Sequence, residues 1–263
     1  MALTAGAKLS RSQLARLGDS LRAVNPPRAE DLVALASWRD DHQEALRRAK
    51  ELIVGAGLGS PTERLKNTYT IIEKLRREAT LPLYAIRDIA GLRLVKDMTL
   101  DEQDAIVAQL KTMLTVTKIV DRCAKPNNGY RAKHTIVRKD GYLIEIQVRT
   151  VLQDEWAQLF ERLGDQWGRG IRYALPPEQP DALVPPGVTR REYVDSIKAF
   201  SQDIGNLERL LNDEARLTRK KGLWGLWARI RRALMSLGKS HRRLLRAKEQ
   251  MISRLKDLRV GLQ

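Results

Sequence analysis

Apolar residues recur along this chain with two periods, and the switching between them outlines the fold. Over 29–56 they return every three or four positions, so Leu32, Leu35, Trp38, Leu46 and Leu52 mark one helix. Gly55, Gly57 and Gly59 end it; their G-x-G-x-G spacing, with no strand before it, is not a dinucleotide fingerprint. A second helix is expected from Ser60 to about Ala79. Ser60 suits the N-cap, Pro61 the first helical position, and Glu63 can complete a capping box. The run G-L-R-L-V after Asp88 predicts a short strand, 101–114 an amphipathic helix and 115–120 a strand. Two further strands, 131–138 and 142–149, are joined by Lys139-Asp140-Gly141, a hairpin turn. A helix is expected from Val151 to Gln166.

The order is thus α, β, α, β, loop, β, β, α. Helices alternating with strands, plus a hairpin, predict an α/β (α+β) fold with a mixed sheet and helices packed on it. Residues 1–28 read as a polar lead-in ending at Pro26-Pro27, and 29–175 as the main domain. Residues 176–187 read as a proline-rich linker and 188–263 as a helical C-terminal region.

Charge changes this picture at one end. The chain carries a net +16, which points to an anionic partner: nucleotide, nucleic acid, ribosome or acidic lipid. Residues 214–263 hold fifteen Lys or Arg against three acids, a net +12, and the other 213 residues hold only +4. Such asymmetry marks an interaction segment better than an active site. Within it Leu223, Trp227, Ile230, Leu234 and Leu237 form an apolar stripe beside Arg229, Arg231 and Arg232. The stripe suits packing on the chain's own domain or a second subunit, an anionic membrane surface, or RNA. The single cysteine, Cys123, allows no intrachain disulfide and fits a reducing cytoplasm. No apolar run is long enough to span a bilayer, and the first sixteen residues lack a signal-peptide core.

Four segments carry candidate chemistry. On the strand I-E-I-Q-V-R, period-two geometry puts Glu145, Gln147 and Arg149 on one face. A wet site explains three polar groups there, and so does a solvent-facing sheet. Asp88, just before the G-L-R-L-V strand, supplies a second acid, and Gly91 permits close backbone approach. Two acids from neighbouring strands suit phosphoryl-type transfer: one holds Mg²⁺ on donor phosphates, the other accepts a proton from the attacking hydroxyl. No P-loop is present. The loop K-P-N-N-G-Y-R offers Tyr130 for stacking on a base and Lys125 and Arg131 for phosphates, or is a plain turn with Tyr130 in the core. His134 would share a strand face with Tyr130. Finally, Arg64, Lys66, Lys74, Arg76 and Arg77 fall near one helical face, able to bind a triphosphate or simply to face solvent.

Together these segments resemble the synthetase domain of RelA/SpoT proteins, especially small single-domain alarmone synthetases. The likeness runs through R-L-K-N-T-Y-T-I-I-E-K-L-R-R (64–77), D-I-A-G-L-R-L-V (88–95), N-G-Y-R-A-K-H (128–134) and E-I-Q-V-R-T (145–150). W-A-Q-L-F-E-R-L-G-D (156–165) and I-R-Y (171–173) extend it. The resemblance implies a nucleotidyltransferase-like fold and transfer of the β,γ-pyrophosphate of ATP to the 3′-hydroxyl of GDP or GTP. It assigns Asp88 to Mg²⁺ and Glu145 to metal support or activation of the acceptor hydroxyl. It places Arg64, Lys66, Lys74, Arg77 and Arg93 on ATP and the polar face. Lys125, Asn128, Tyr130, Arg131, His134, Gln147 and Arg149 fall on the acceptor side, with Tyr130 stacked on guanine. The order K-P-N-N-G-Y departs from the family's P-K-x-N-G-Y, so Lys125 stands at a different place in the acceptor loop. Of the hydrolase half of long members only Asp40-Asp41-His42 offers any trace, so synthesis without hydrolysis is expected, by a cytoplasmic homo-oligomer. Two alternatives stay open: a toxin-like relative that pyrophosphorylates the 3′ end of tRNA, with the basic segment holding the RNA, or a silent nucleotide- or RNA-binding module.

Overall fold

A computed structural model of the chain describes residues 8–184, 187–220 and 227–261. The chain folds into two compact units that interleave along the sequence. The first comprises Met1–Leu94, Val107–Val120 and His134–Val148; the second comprises Val95–Ile106, Asp121–Lys133 and Arg149–Gln263. The consecutive division expected from the sequence follows chain order, whereas the compact units exchange segments at strand ends.

The first unit opens with helices α1 (Arg11–Ala23) and α2 (Ala29–Gly55). Helix α1 falls within the expected polar lead-in, yet Leu14, Leu17 and Leu21 are buried, and Ser10 and Gln13 form a capping box at its start. These leucines repeat at helical spacing and join Leu35, Trp38, Ile71, Leu75 and Leu83 in one core. Of the residues predicted for α2, Leu35, Trp38 and Leu46 are buried, while Leu52 is exposed.

The next segment corrects the sequence expectation. Thr62–Leu65 is strand β1, and helix α3 spans only Thr68–Arg77, capped by the Asn67 side chain on Thr70 N–H at 2.8 Å. The S-P-T-E signal is overridden because 62–65 pairs antiparallel with β2 (Ala90–Lys96), Leu65 facing Ala90 and Thr62 facing Arg93. Strands β3 (Thr115–Asp121), β4 (Lys133–Lys139) and β5 (Tyr142–Thr150) complete a five-stranded sheet in the order β1-β2-β5-β4-β3, with α4 (Leu100–Met113) between β2 and β3. The β4–β5 turn has Asp140 and Gly141 at φ 52° and 96°, the left-handed pair that a two-residue hairpin demands.

Strand β5 runs directly into helix α5 (Val151–Trp167), with Thr150 as N-cap and Gln153 closing a capping box. In the second unit α5 packs with α6 (Arg190–Lys220) and α7 (Trp227–Val260). Their core holds Trp156, Phe160, Leu163, Val194, Ile204 and Leu255, and the Trp156 indole donates to the Ile197 carbonyl at 2.8 Å. Leu183–Val184, in the proline-rich stretch, pairs with Val188–Thr189 just beyond it. Part of the basic segment is structural: Leu255 is fully buried in this core, and Met251, Ile252 and Leu258 pack against it. The apolar stripe from Leu223 to Leu237 lies outside the residues whose side chains are described.

Glu208 of α6 is buried against the Thr150 hydroxyl and takes the Gln153 amide at 3.0 Å. Burial raises its pKa above the usual carboxylate range, against these two hydrogen bonds. A carboxyl with a raised folded pKa contributes stability that is complete at low pH and is lost as pH rises through that pKa. Glu208→Gln should therefore remove the fall in stability that sets in as pH rises above the ordinary carboxylate range. Urea midpoints at pH 5 and pH 9 check this: a variant whose midpoint falls with pH as far as the wild type's contradicts it.

Candidate active site

The carboxylates that the sequence singles out lie on one wall. A small cavity of about 70 Å³ in the first unit is lined by Asp88, Glu145, Gln147, Arg64, Lys66 and Arg93. Asp88 precedes β2, and Glu145 and Gln147 sit two apart on β5, the neighbouring strand, so period-two geometry brings both acids to one face. Ile144, Ile146 and Val148 fill the opposite face and are fully buried, which fixes the strand's register.

Asp88 is held by two ammonium groups. Lys66 Nζ lies 3.0 Å from Oδ2 and Lys74 Nζ 2.9 Å from Oδ1. The expectation of one basic helical face is corrected here. Arg64 belongs to β1, Lys66 follows it, and only Lys74, Arg76 and Arg77 lie on α3. Lys66 is fixed by its backbone, whose N–H donates to the Ile89 carbonyl at 2.8 Å and whose carbonyl accepts from Arg39 at 3.0 Å. Burial works to raise the Asp88 pKa, and the charges of Lys66 and Lys74 outweigh it, so the carboxyl is held below its ordinary range.

Glu145 is bound at both oxygens. His134 Nδ1 lies 2.7 Å from Oε1, and Gln147 Nε2 donates to Oε2 at 2.7 Å. Burial again acts to raise its pKa, but the bond and charge of His134 prevail, with help from Gln147; the nearby Asp88 opposes them. The net shift is downward, so both acids are ionised at neutral pH. A Cβ on Gly91 would stand 3.5 Å from the Glu145 carbonyl, an ordinary contact, so the expected close backbone approach does not itself demand glycine. Arg77 is an exposed residue of the last turn of α3, 3.2 Å from Glu78, and is not on the cavity wall.

The other predicted residues belong to the second unit. Strand β4 begins at Lys133, so the shared strand face expected for Tyr130 and His134 does not exist. Tyr130 sits in a turn closed by mutual backbone hydrogen bonds with Asn127, at 3.0 and 3.2 Å. Gly129, at φ 87°, is required: a Cβ there would stand 2.7 Å from the Trp156 ring. Asn128 is committed to the Ile171 carbonyl at 2.5 Å, in the I-R-Y motif. Lys125 is exposed.

Two residues expected to meet phosphate or the acceptor already have protein partners. Arg131 is buried, donating to the Ser201 carbonyl and hydroxyl at 3.0 and 3.1 Å and to the Cys123 carbonyl at 3.1 Å. Arg149 is also buried, paired with Asp154 at 2.8 Å and donating to the Tyr130 hydroxyl at 2.8 Å, with its guanidinium 5.1 Å from that ring. Sequence reasoning missed Asp154. Its only local sign was an acid in the first turn of the helix after the E-I-Q-V-R-T strand, five residues beyond Arg149.

A two-carboxylate wall with clustered cations thus lies on the strands of a mixed sheet flanked by helices. Residues 63–162 match the region found in RelA/SpoT proteins, and the chain belongs to that family. It is 36% identical over 202 residues to an uncharacterized protein of Mycobacterium tuberculosis, spanning 74% of this chain and 73% of that one. It is 29% identical over 131 residues to the GTP pyrophosphokinase YjbM of Bacillus subtilis, spanning 42% of this chain and 58% of that relative. In fold it matches the small alarmone synthetase 1 of Bacillus subtilis, at 21% identity and a TM-score of 0.53, over 68% of this chain and 94% of the other. Among the described residues no helix is long and apolar enough to cross a membrane.

Proposed function

We propose that the chain is a pyrophosphokinase that moves the β,γ-pyrophosphate of ATP to the 3′-hydroxyl of GDP or GTP, making the alarmone (p)ppGpp. The observation that carries the proposal is the shared cavity wall of Asp88 and Glu145. A pyrophosphoryl group is densely anionic, so its transfer depends on positioning and on compensating charge. Arg64, Lys66 and Arg93 on the wall, with Lys74 behind Asp88, supply that charge.

The wall fits Mg²⁺, which is usually held by one or two carboxylates together with substrate phosphates. Asp88 and Glu145 would hold it, and it would neutralise phosphate charge when bound. The lowered Glu145 pKa makes this carboxylate a weak base. Its role is to support charge and orient the attacking hydroxyl, with His134 and Gln147 fixing its two oxygens. In the second unit Tyr130 supplies the ring for guanine, and Arg149 and Asp154 hold it in place. Arg131 and Asn128 maintain the loop that carries this ring.

His42 is buried and bonded to the Trp38 carbonyl, and Asp41 takes the Tyr142 hydroxyl. These groups serve packing, which supports synthesis without hydrolysis. We place the enzyme in the cytoplasm as a homo-oligomer, on the family resemblance.

The net +12 of residues 214–263 favours one second reading, with the 3′ end of tRNA as acceptor and the same donor chemistry. Labelled ATP offered with GDP, GTP, ADP and deacylated tRNA in parallel separates the two. Label is expected on the guanine nucleotides. Label on tRNA alone, reduced by Arg243→Glu with Arg246→Glu on exposed α7 positions, replaces the first reading with the second. Removing the whole segment is a poor test, because Leu255 is part of the core.

A further inference from the structure

The first unit holds a second, larger cavity, of about 450 Å³, that the proposed reaction does not use. Its walls carry three aromatic rings, Trp38, Tyr84 and Tyr142, with His42 beside them. Trp38 and Tyr142 are held from behind. The Tyr142 hydroxyl donates to Asp41 at 2.7 Å, and the His42 ring packs edge-on between Trp38 and Tyr142 at 4.3 and 4.7 Å. Such walls are already organised to receive a flat ligand, which lowers the ordering cost of binding.

Four cations converge on the same cavity: Lys8, Arg11, Arg87 and Arg138. Elsewhere in this unit several surface arginines take carboxylates, as Arg22 takes Asp19 and Arg47 takes Glu44 and Glu51. Among the described residues none of these four does. Arg11 lies over the Tyr84 ring at 4.7 Å, and Lys8 over Tyr142 at 5.1 Å. Lys8 and Arg138 otherwise reach only the carbonyls of Asp140 and Gly141, at 3.1 and 3.0 Å. Asp140 is the one acid on the wall, and Arg48 and Lys139 pair with its carboxylate at 3.2 and 3.4 Å. The cavity therefore has excess positive charge beside rigid aromatic faces.

From this we infer that the cavity is a binding site for a free purine nucleotide, its base replacing the Arg11 and Lys8 side chains against the Tyr84 and Tyr142 rings and its phosphate on the displaced Arg11 and on Arg87. Aromatic faces stack bases whatever their sequence, and guanidinium groups grip phosphate oxygens in pairs. The volume lies in the range of small-molecule sites. A single RNA strand calls for an extended groove rather than one concave pocket.

The test is photolabelling of the full-length protein with 8-azido-GMP, followed by peptide mass spectrometry. Label is expected on Trp38, Tyr84 or Tyr142, and GMP should compete for it. Guanosine and ribose 5-phosphate, each lacking half of the ligand, should compete about tenfold less well or worse. Arg11→Glu and Arg87→Glu, both exposed positions, should each lower this label about tenfold, while Arg87→Lys keeps most of it. Melting curves show whether each variant is folded, and label elsewhere on the chain serves as an internal standard. Absence of label from all three rings at saturating probe overturns the inference. So does label that folded Arg11→Glu and Arg87→Glu variants leave unchanged, or that a short oligoribonucleotide displaces better than GMP.

Discussion

Asp88→Asn is expected to slow pyrophosphate transfer by at least about a thousandfold, roughly 4 kcal/mol of barrier, with Glu145→Gln close behind. Both changes keep shape and remove one charge from a wall that has to manage a polyphosphate. Asp88 stands between Lys66 at 3.0 Å and Lys74 at 2.9 Å, so its loss also leaves two ammonium groups without their counter-ion. These groups are partly exposed, so the stability cost should be modest, and a thermal melt should show a folded protein. Asp88's pKa is depressed below its unfolded value, near 3.9. Its contribution to stability is therefore complete above that value and is lost as pH falls through the folded pKa, a change that Asp88→Asn should remove. Single-turnover rates for the two variants check the first claim. A folded Asp88→Asn protein within tenfold of wild type would refute the role assigned to that carboxylate.

Arg149→Met should cost about 3–5 kcal/mol of stability. The guanidinium is almost wholly buried and faces Asp154 at 2.8 Å, so its removal leaves a buried carboxylate without its cation. Replacing both partners, Arg149→Met with Asp154→Leu, should restore most of the loss, because neither side is then an unpaired charge. Urea unfolding measures both. A double variant as unstable as the single one would show that packing around Arg149, and not the ion pair, carries the effect. The Tyr130 hydroxyl loses its donor in either variant, so a rise in KM for the guanine nucleotide with little change in KM for ATP is expected.

Much of this fold can be read from the chain because the hydrophobic periods agree with burial. The alternation in β5 predicts Ile144, Ile146 and Val148 inside and Glu145 with Gln147 on the cavity wall. The Asp140-Gly141 turn is equally direct, since few other pairs take two left-handed residues. Strand β1 could not be read this way. Ser60-Pro61-Thr62-Glu63 has the local chemistry of a helix start, and only pairing with Ala90–Arg93, about thirty residues away in the chain, makes it a strand. The leucines of α1 are only three among mostly polar neighbours, so their role becomes visible when Leu35, Leu75 and Leu83 are placed beside them.

In the candidate site the acids could be found, but the fate of each cation could not. Arg131 and Arg149 have the composition of phosphate ligands, yet one is spent on the Ser201 and Cys123 carbonyls and the other on Asp154 and Tyr130. A sequence states that a guanidinium is present; whether it faces a ligand or a neighbouring carbonyl is set by tertiary packing.

The most direct measurement follows the fate of ATP's two terminal phosphates. With γ-labelled ATP, Mg²⁺ and GDP, the wild-type protein should place label on the guanine nucleotide and release one AMP for each transfer. Label released as orthophosphate with ADP, or label left wholly on ATP by folded protein, would contradict the account.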